Sequence, residues 1–220
     1  MGMRNITPQK VSFTTSKVEI AHILISAIVL SVAMALVFRG GSIENYFEYY
    51  LGDLWAIGMF GVMFVLVLLS FVGHELGHKF VAQKFGMWSE YRMYPMGLML
   101  SLVLALCGFL IAAPGAVMIR GDYITNEQNG KISIAGPLVN IVLAAVGLVG
   151  TMLFNHTALV VPMYLLLTMN SVLALFNLIP IPPLDGSKII SWKIAVWAGC
   201  MAIAGLAFAS RYFLPALYFA

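Results

Sequence analysis

Long uncharged apolar runs constrain the fold of this chain more than any other feature. The run from Leu54 to Val72 has 19 residues without a charge, and a helix needs about 20 apolar residues to cross the hydrocarbon core of a bilayer. Four further runs have a similar length, at residues 20–38, 132–154, 161–179 and 194–214. The sequence therefore predicts an all-α integral membrane protein, a bundle of five to six transmembrane helices.

The composition leads to the same class. Hydrophobic residues make up 61% of the chain and charged residues only 10%, whereas a soluble domain has about 25% charged residues. So few charges exclude a water-soluble globule, and the high hydrophobicity excludes intrinsic disorder. The net charge of +3 is spread along the chain, so we expect no nucleic-acid partner. The length predicts a single integral membrane domain, residues 1–220, that contacts the lipid bilayer.

The positions of lysine and arginine predict the orientation of the chain in the membrane. With the N-terminus inside and five crossings, all but two of the twelve basic residues fall inside, and only Arg39 and Arg211 fall outside. This count requires the apolar stretch 93–119 to enter and leave on the same side. Its prolines and glycines favour irregular backbone, so we expect a re-entrant or β-hairpin insertion that turns near Cys107 and Gly108. An ordinary sixth span is the alternative.

The second apolar run ends in the motif H-E-x-x-H, at His74, Glu75 and His78. Residues four apart lie on one face of a helix, so both imidazoles can bind the same ion. Glu75 projects about 100° away from His74 and can approach a metal-bound water without being a ligand. Because titratable groups within spans are costly and mark function, the motif predicts one catalytic Zn²⁺ per chain. Two histidines that cap a span at the interface are the alternative.

A catalytic zinc usually has three protein ligands, so one ligand must come from elsewhere in the chain. His22 and His156 are expected at the membrane interfaces, away from the motif. Asp185 follows three prolines that end the fourth span, on the same predicted side as His74 and His78. Its residue type and position leave two interpretations open, a zinc ligand or a cap of the following helix.

Three motifs together resemble the site-2 protease family of intramembrane zinc metalloproteases. They are H-E-L-G-H, then A-G-P-L-V-N at 135–140, then N-L-I-P-I-P-P-L-D-G at 177–186. The run A-P-G-A-V at 113–117 and the start V-S-F at 11–13 are similar to a small archaeal-type branch. The resemblance covers about residues 60–190, with a catalytic core at about 54–190. It implies that His74, His78 and Asp185 bind zinc and that Glu75 is the general base.

The resemblance implies an endopeptidase that cleaves transmembrane helices of membrane-protein substrates. The protein would lie in the cell membrane as a multi-pass protein, with its N-terminus and active-site end in the cytoplasm. Asn177 and Asn140 are candidate contacts to the backbone of an unwound substrate, and interhelical hydrogen bonding is their alternative role. The second half of the insertion, if extended, offers an edge to which a substrate strand can add.

Two other functions compete with proteolysis. A metal-ion transporter or channel needs a polar path across the bilayer, but the two histidines and Asp185 are all predicted near one face. A non-proteolytic membrane scaffold is the second competitor. Inactive relatives of an enzyme usually lose the base or a ligand, and all four residues are present here.

Overall fold

A computed structural model describes residues 13–39, 42–109, 114–121 and 123–214. Within these ranges the chain forms helices joined by short connections and one pair of strands. The helices are α1 (Lys17–Val37), α2 (Ser42–Leu51), α3 (Trp55–Val67), α4 (Gly73–Lys84), α5 (Pro95–Leu106), α6 (Asn126–Leu153), α7 (Val160–Asn177), α8 (Asp185–Trp192) and α9 (Ile194–Ser210). The strands are β1 (Trp88–Met93) and β2 (Gly115–Arg120).

Four helical segments of the described chain are long and apolar enough to cross a membrane. They are Lys17–Val37, Ile43–Lys84, Asn126–Leu153 and Val160–Asn177. The prediction of an all-α membrane protein is therefore confirmed. The fifth predicted span corresponds to α9, an apolar helix of 17 residues. The predicted N-terminal V-S-F start lies largely outside the described residues.

The second predicted span continues directly into the helix that bears H-E-x-x-H. A π-helical turn, Leu68–Val72, joins α3 to α4, and in it the amide of Gly73 donates to the carbonyl of Leu68, five residues back. Such turns insert one extra residue into an α-helix and are frequent at functional sites. The turn ends just before His74, so it determines which face of α4 presents the two histidines.

The insertion at 93–119 returns to the side on which it starts, because β1 and β2 pair antiparallel from Trp88↔Arg120 to Met93↔Gly115. Between them, α5 has 12 residues and is about 18 Å long, too short for a hydrocarbon core of about 30 Å. The alternative of an ordinary sixth span is therefore wrong. The predicted turn near Gly108 is present, at a φ of +82°. The insertion is a strand–helix–strand unit, which combines features of the expected re-entrant and β-hairpin forms.

Helix α6 is the central element that positions the site, and it packs against α4, α7, α8 and α9. A capping box of Thr125 and Gln128 begins the helix, as this residue pattern favours. Two glycines allow α6 to pack closely against α4 and α7. A Cβ at Gly77 of α4 would lie 3.0 Å from the carbonyl oxygen of Ala135, and one at Gly147 would lie 2.4 Å from the amide nitrogen of Leu167.

Candidate metal centre

The structure brings His74, His78 and Asp185 together although they come from two distant elements. The Nε2 atoms of the histidines lie 3.0 Å apart, and Oδ2 of Asp185 lies 3.4 Å from Nε2 of His74 and 3.1 Å from Nε2 of His78. Zinc bonds of about 2.0–2.1 Å in tetrahedral geometry place ligand atoms roughly 3.4 Å apart. The three donors therefore fit one zinc ion.

The other nitrogen of each ring determines which tautomer is present. Nδ1–H of His78 donates to the backbone carbonyl of Ile132 at 2.8 Å, and Nδ1–H of His74 donates to Oδ1 of Asn140 at 2.6 Å. Both acceptors are on α6. With the proton on Nδ1, each Nε2 presents a lone pair toward the shared position, and hydrogen bonds of this kind are what orients metal-binding histidines.

Asn140 belongs to a buried amide network beneath the three candidate zinc ligands. Its Nδ2 donates to the backbone carbonyl of Ser70 at 2.9 Å and to Oδ1 of Asn170 at 2.8 Å. Asn170 in turn donates to Oγ of Ser70 and to the carbonyl of Leu166, both at 2.8 Å. The side chain of Asn140 is fully buried, so its position favours orientation of His74 over contact with a substrate.

Two features of this network were missed by the sequence analysis. Asn170 lies in the middle of an apolar span, and an amide in lipid is itself a signal of function or helix packing. The π-helical turn has no comparable signature in the sequence. In it the carbonyl of Ser70 accepts from the amide of Gly73, three residues ahead, and it also accepts from Asn140.

Gly136 leaves the space in which the donor atoms converge. A Cβ at this position would lie 2.5 Å from Nε2 of His78 and 2.6 Å from Nε2 of His74. The motif A-G-P-L-V-N thus has three separate contacts at the site, since Ala135 packs on Gly77, Gly136 faces the imidazoles and Asn140 orients His74. From sequence, the motif indicated the family and supplied Asn140 as a candidate substrate contact, and the contacts of Ala135 and Gly136 were not predicted.

Asp185 reaches the histidines because the chain folds back after α7. The loop between α7 and α8 turns closely enough that a Cβ at Gly186 would lie 2.1 Å from the carbonyl oxygen of Leu178. Burial raises the pKa of Asp185, whereas interaction with His78 and His74 in their protonated form lowers it, and the net direction is below its ordinary value. The carboxyl group is therefore ionised, as a metal ligand must be.

Glu75 is adjacent in sequence to His74 but is not one of the three grouped metal donors. Its Oε2 accepts a hydrogen bond of 2.9 Å from the backbone amide of Val117 in β2, so the carboxylate is held at the edge of the small sheet. Asn177 is half-buried, and its Nδ2 donates to the carbonyl of Leu173 in its own helix at 2.9 Å. No contact in the described part of the chain links Asn177 to the zinc ligands.

His22 and His156 lie outside the cluster. Across the described ranges, His74, His78 and Asp185 are the one group of three or more histidine, cysteine and acidic side chains arranged to hold a metal ion. From sequence, the position of Asp185 left a ligand and a capping role open, and the family resemblance implied the ligand role. The grouping places Asp185, and neither His22 nor His156, beside the two imidazoles.

We expect loss of the Asn140 side chain to weaken zinc binding. In Asn140→Leu, His74 loses the acceptor that orients it, and removal of such a partner typically costs about 10- to 100-fold in metal affinity. Competition with a chromophoric chelator measures the zinc dissociation constant. Asn177→Leu is the matched control, because that amide bonds only within its own helix, and equal zinc affinity in the two variants would contradict the orienting role.

Comparison with known proteins finds relatives that are named zinc metalloproteases. One is "Putative zinc metalloprotease MJ0611" of Methanocaldococcus jannaschii, 42% identical over 146 residues, which are 66% of this chain and 76% of the relative. "Putative zinc metalloprotease YwhC" of Bacillus subtilis is 31% identical over 62% of this chain and 70% of its own. "Zinc metalloprotease MJ0392" of M. jannaschii is 35% identical over 59% of this chain, but only 33% of its own length is matched.

No family model matches the chain, and no solved structure matches it. The identity to MJ0611 extends over most of both chains, and the structure brings together three side chains that could hold a metal ion. The chain therefore belongs to the site-2 protease family of zinc metalloproteases, and its cofactor is zinc.

Proposed function

We propose that this zinc metalloprotease is an intramembrane endopeptidase that cleaves transmembrane helices of membrane-protein substrates. The observation that carries the proposal is the location of the zinc ligands. His74 and His78 are buried on a helix that is continuous with a candidate span, Ile43–Lys84. A site on such a helix suits a peptide bond that is itself in the membrane better than one in a soluble protein.

Zinc held by His74, His78 and Asp185 would supply a water of lowered pKa and polarise the scissile carbonyl. The side chains of the protein supply the proton transfer. We assign the general base to Glu75, whose carboxylate takes the proton of the attacking water and transfers it to the leaving amine nitrogen. The hydrogen bond from Val117 supports this assignment, because it holds the carboxylate at the edge of the sheet, where the proposed substrate strand adds.

A substrate helix must unwind locally before its carbonyl can be attacked, and the freed strand needs a partner. In β2 the amide of Val117 points away from β1, and outward-facing groups recur at every second residue of a strand. Residues 115, 117 and 119 therefore form the outer edge beside Glu75. No further strand of the described chain pairs with this edge, and the Val117 amide donates to Glu75 there. We propose that the unwound substrate adds to this edge as a strand, and that Asn177 contacts its backbone.

We further propose that the N-terminus and the zinc site are on the cytoplasmic side of the cell membrane. The distribution of lysine and arginine supports this orientation, and the insertion, which returns to its starting side, is compatible with it. A metal-ion transporter gains no support, since the part of the chain that the structure describes has no second group of metal donors.

The proposal is tested with the purified protein in detergent and two synthetic transmembrane peptides, each with a fluorophore and a quencher at opposite ends. One has a central Gly-Pro pair that weakens the helix, and the other has Leu-Leu at that place. We expect zinc-dependent cleavage that stops with a chelator, returns with zinc, and is faster for the Gly-Pro peptide. A zinc-loaded protein that cuts neither peptide would refute the proposal.

A further inference from the structure

Two glutamates bind the same cross-strand pair of the sheet from opposite edges. Tyr91 and Val117 are register partners in β1 and β2. The amide of Tyr91 donates to Oε1 of Glu19 at 2.9 Å, and the amide of Val117 donates to Oε2 of Glu75 at 2.9 Å. This is the geometry of a non-hydrogen-bonded antiparallel pair, whose amides both point outward.

Helix α4 is connected to both edges. The second carboxylate oxygen of Glu19 accepts from Nζ of Lys79 at 2.5 Å, and Lys79 lies four residues after Glu75, on the same face of the helix. The side chain of Glu19 is fully buried and Lys79 is 3% exposed. Helix α4 therefore contacts β2 directly through Glu75. It is connected to β1 through Glu19 of α1, which binds both Lys79 and the Tyr91 amide.

Further contacts hold the Tyr91–Val117 pair and the Lys79–Glu19 ion pair in place. The phenol oxygen of Tyr91 lies 2.9 Å from Oγ of Ser26 in α1 and 3.1 Å from the carbonyl oxygen of Pro114. Nζ of Lys79 also donates to Oγ1 of Thr15 at 3.0 Å. These bonds join the start of α1, the zinc-binding helix and both strands into one buried polar cluster. A buried ion pair costs desolvation free energy, so stability alone is a weak reason for its presence.

We infer that Glu19 is a positioning residue for the proteolytic site, an inference that rests on the proposed role of Glu75. Glu19 touches neither the zinc ligands nor the edge where a substrate would add. It holds β1 through the Tyr91 amide, and the Tyr91–Val117 pair transmits this position to β2. The Val117 amide then sets the direction of the Glu75 carboxylate. Glu19 precedes the catalytic core at about 54–190, so the family motifs do not include it.

Two double variants isolate the bond to Tyr91. Glu19→Gln with Lys79→Met, and Glu19→Leu with Lys79→Met, both remove the ion pair and leave no lone buried charge. They differ in one respect, because glutamine keeps an oxygen that can accept from the Tyr91 amide and leucine does not. Zinc content, amide hydrogen exchange of residues 115–121 and cleavage of the Gly-Pro peptide are measured for both variants.

We expect both double variants to bind one zinc. In the leucine variant, amides of 115–121 exchange faster than in wild type and cleavage falls about 10²-fold, the cost of a displacement of about 1 Å at a catalytic group. The glutamine variant keeps wild-type exchange and most of the cleavage. A merely structural ion pair predicts equal effects in both variants. Equal exchange and equal cleavage would therefore overturn the inference.

A second route avoids the ion pair altogether, in case neither double variant folds. Val117→Pro removes the amide that Glu75 accepts from and spares the ladder bonds to β1. Met93→Pro is the control, because it removes an outward amide of β1 at the opposite edge of the sheet, away from the proposed substrate strand. A loss of cleavage with zinc retained in Val117→Pro alone supports the inference, and equal cleavage in the two variants overturns it. If the wild type itself fails to cut the peptide, the proposed function fails, while the exchange comparison still decides whether Glu19 positions β2.

Discussion

Gly136→Ala is expected to abolish zinc binding, although residue 136 is not itself a ligand. The added methyl group would lie 2.5 and 2.6 Å from the Nε2 atoms of His78 and His74, which is closer than non-bonded carbon and nitrogen atoms approach. Relief by a shift of α6 is resisted, because Gly77 of α4 already lies against the Ala135 carbonyl. The substitution therefore separates the imidazoles or blocks the ion, and metal content per purified chain measures the loss.

Gly205→Ala is the matched control for this experiment. It makes the same change within α9, where a Cβ has no atom within 4 Å, and alanine favours a helix by about 1 kcal/mol relative to glycine. We expect Gly205→Ala to keep its zinc and to unfold no sooner than wild type. Asp185→Ala supplies the reference for loss of a ligand. Wild-type zinc content in Gly136→Ala would show that the imidazoles do not converge beside residue 136.

Glu75→Gln is expected to stop cleavage of the Gly-Pro peptide and to leave zinc in place. Glutamine keeps the shape of the side chain and an oxygen that can accept from the Val117 amide, but it cannot take a proton from water. Loss of a general base lowers rates by about 10²- to 10⁴-fold. The measurement pairs the initial rate of cleavage with the zinc content of the same preparation.

His74→Ala is the comparison for that result, because it removes a donor atom and should lose both zinc and cleavage. The two variants thus separate the proton-transfer role of Glu75 from metal binding. A Glu75→Gln protein that retains zinc and cleaves at the wild-type rate would exclude Glu75 as the base. A variant that loses zinc would indicate that Glu75 supports the metal site, contrary to its position outside the three donors.

The structure also distinguishes the environments of the two candidate asparagines, Asn140 and Asn177. From sequence both were amides at or near span positions, and both were candidates for contact with substrate. Asn140 is buried under His74, whereas Asn177 is half-buried at the end of α7 with its amide bonded in its own helix. Only the neighbouring helices distinguish the two, since an isolated span shows the residue type and not its partner.

The sequence by itself determined the membrane class, the approximate spans and the placement of His74, Glu75 and His78 on one helix at the end of the second span. These features depend on interactions within about one turn of helix or on the length of an apolar run, so nearby residues suffice to predict them. The insertion could be restricted to a unit that returns to its own side, because lysine and arginine counts depend on loops and not on packing.

Tertiary structure decided which distant groups meet, although the family resemblance already implied that Asp185 joins the two histidines. The convergence of Asp185 on His74 and His78, the space left by Gly136 and the acceptors of both Nδ1 atoms all come from the packing of α6 against α4 and of the loop before α8. So did the bonds of Glu19 and Glu75 to the Tyr91–Val117 pair. Such contacts join residues 42 to 111 positions apart, and they follow from helix packing that no local pattern in the chain encodes.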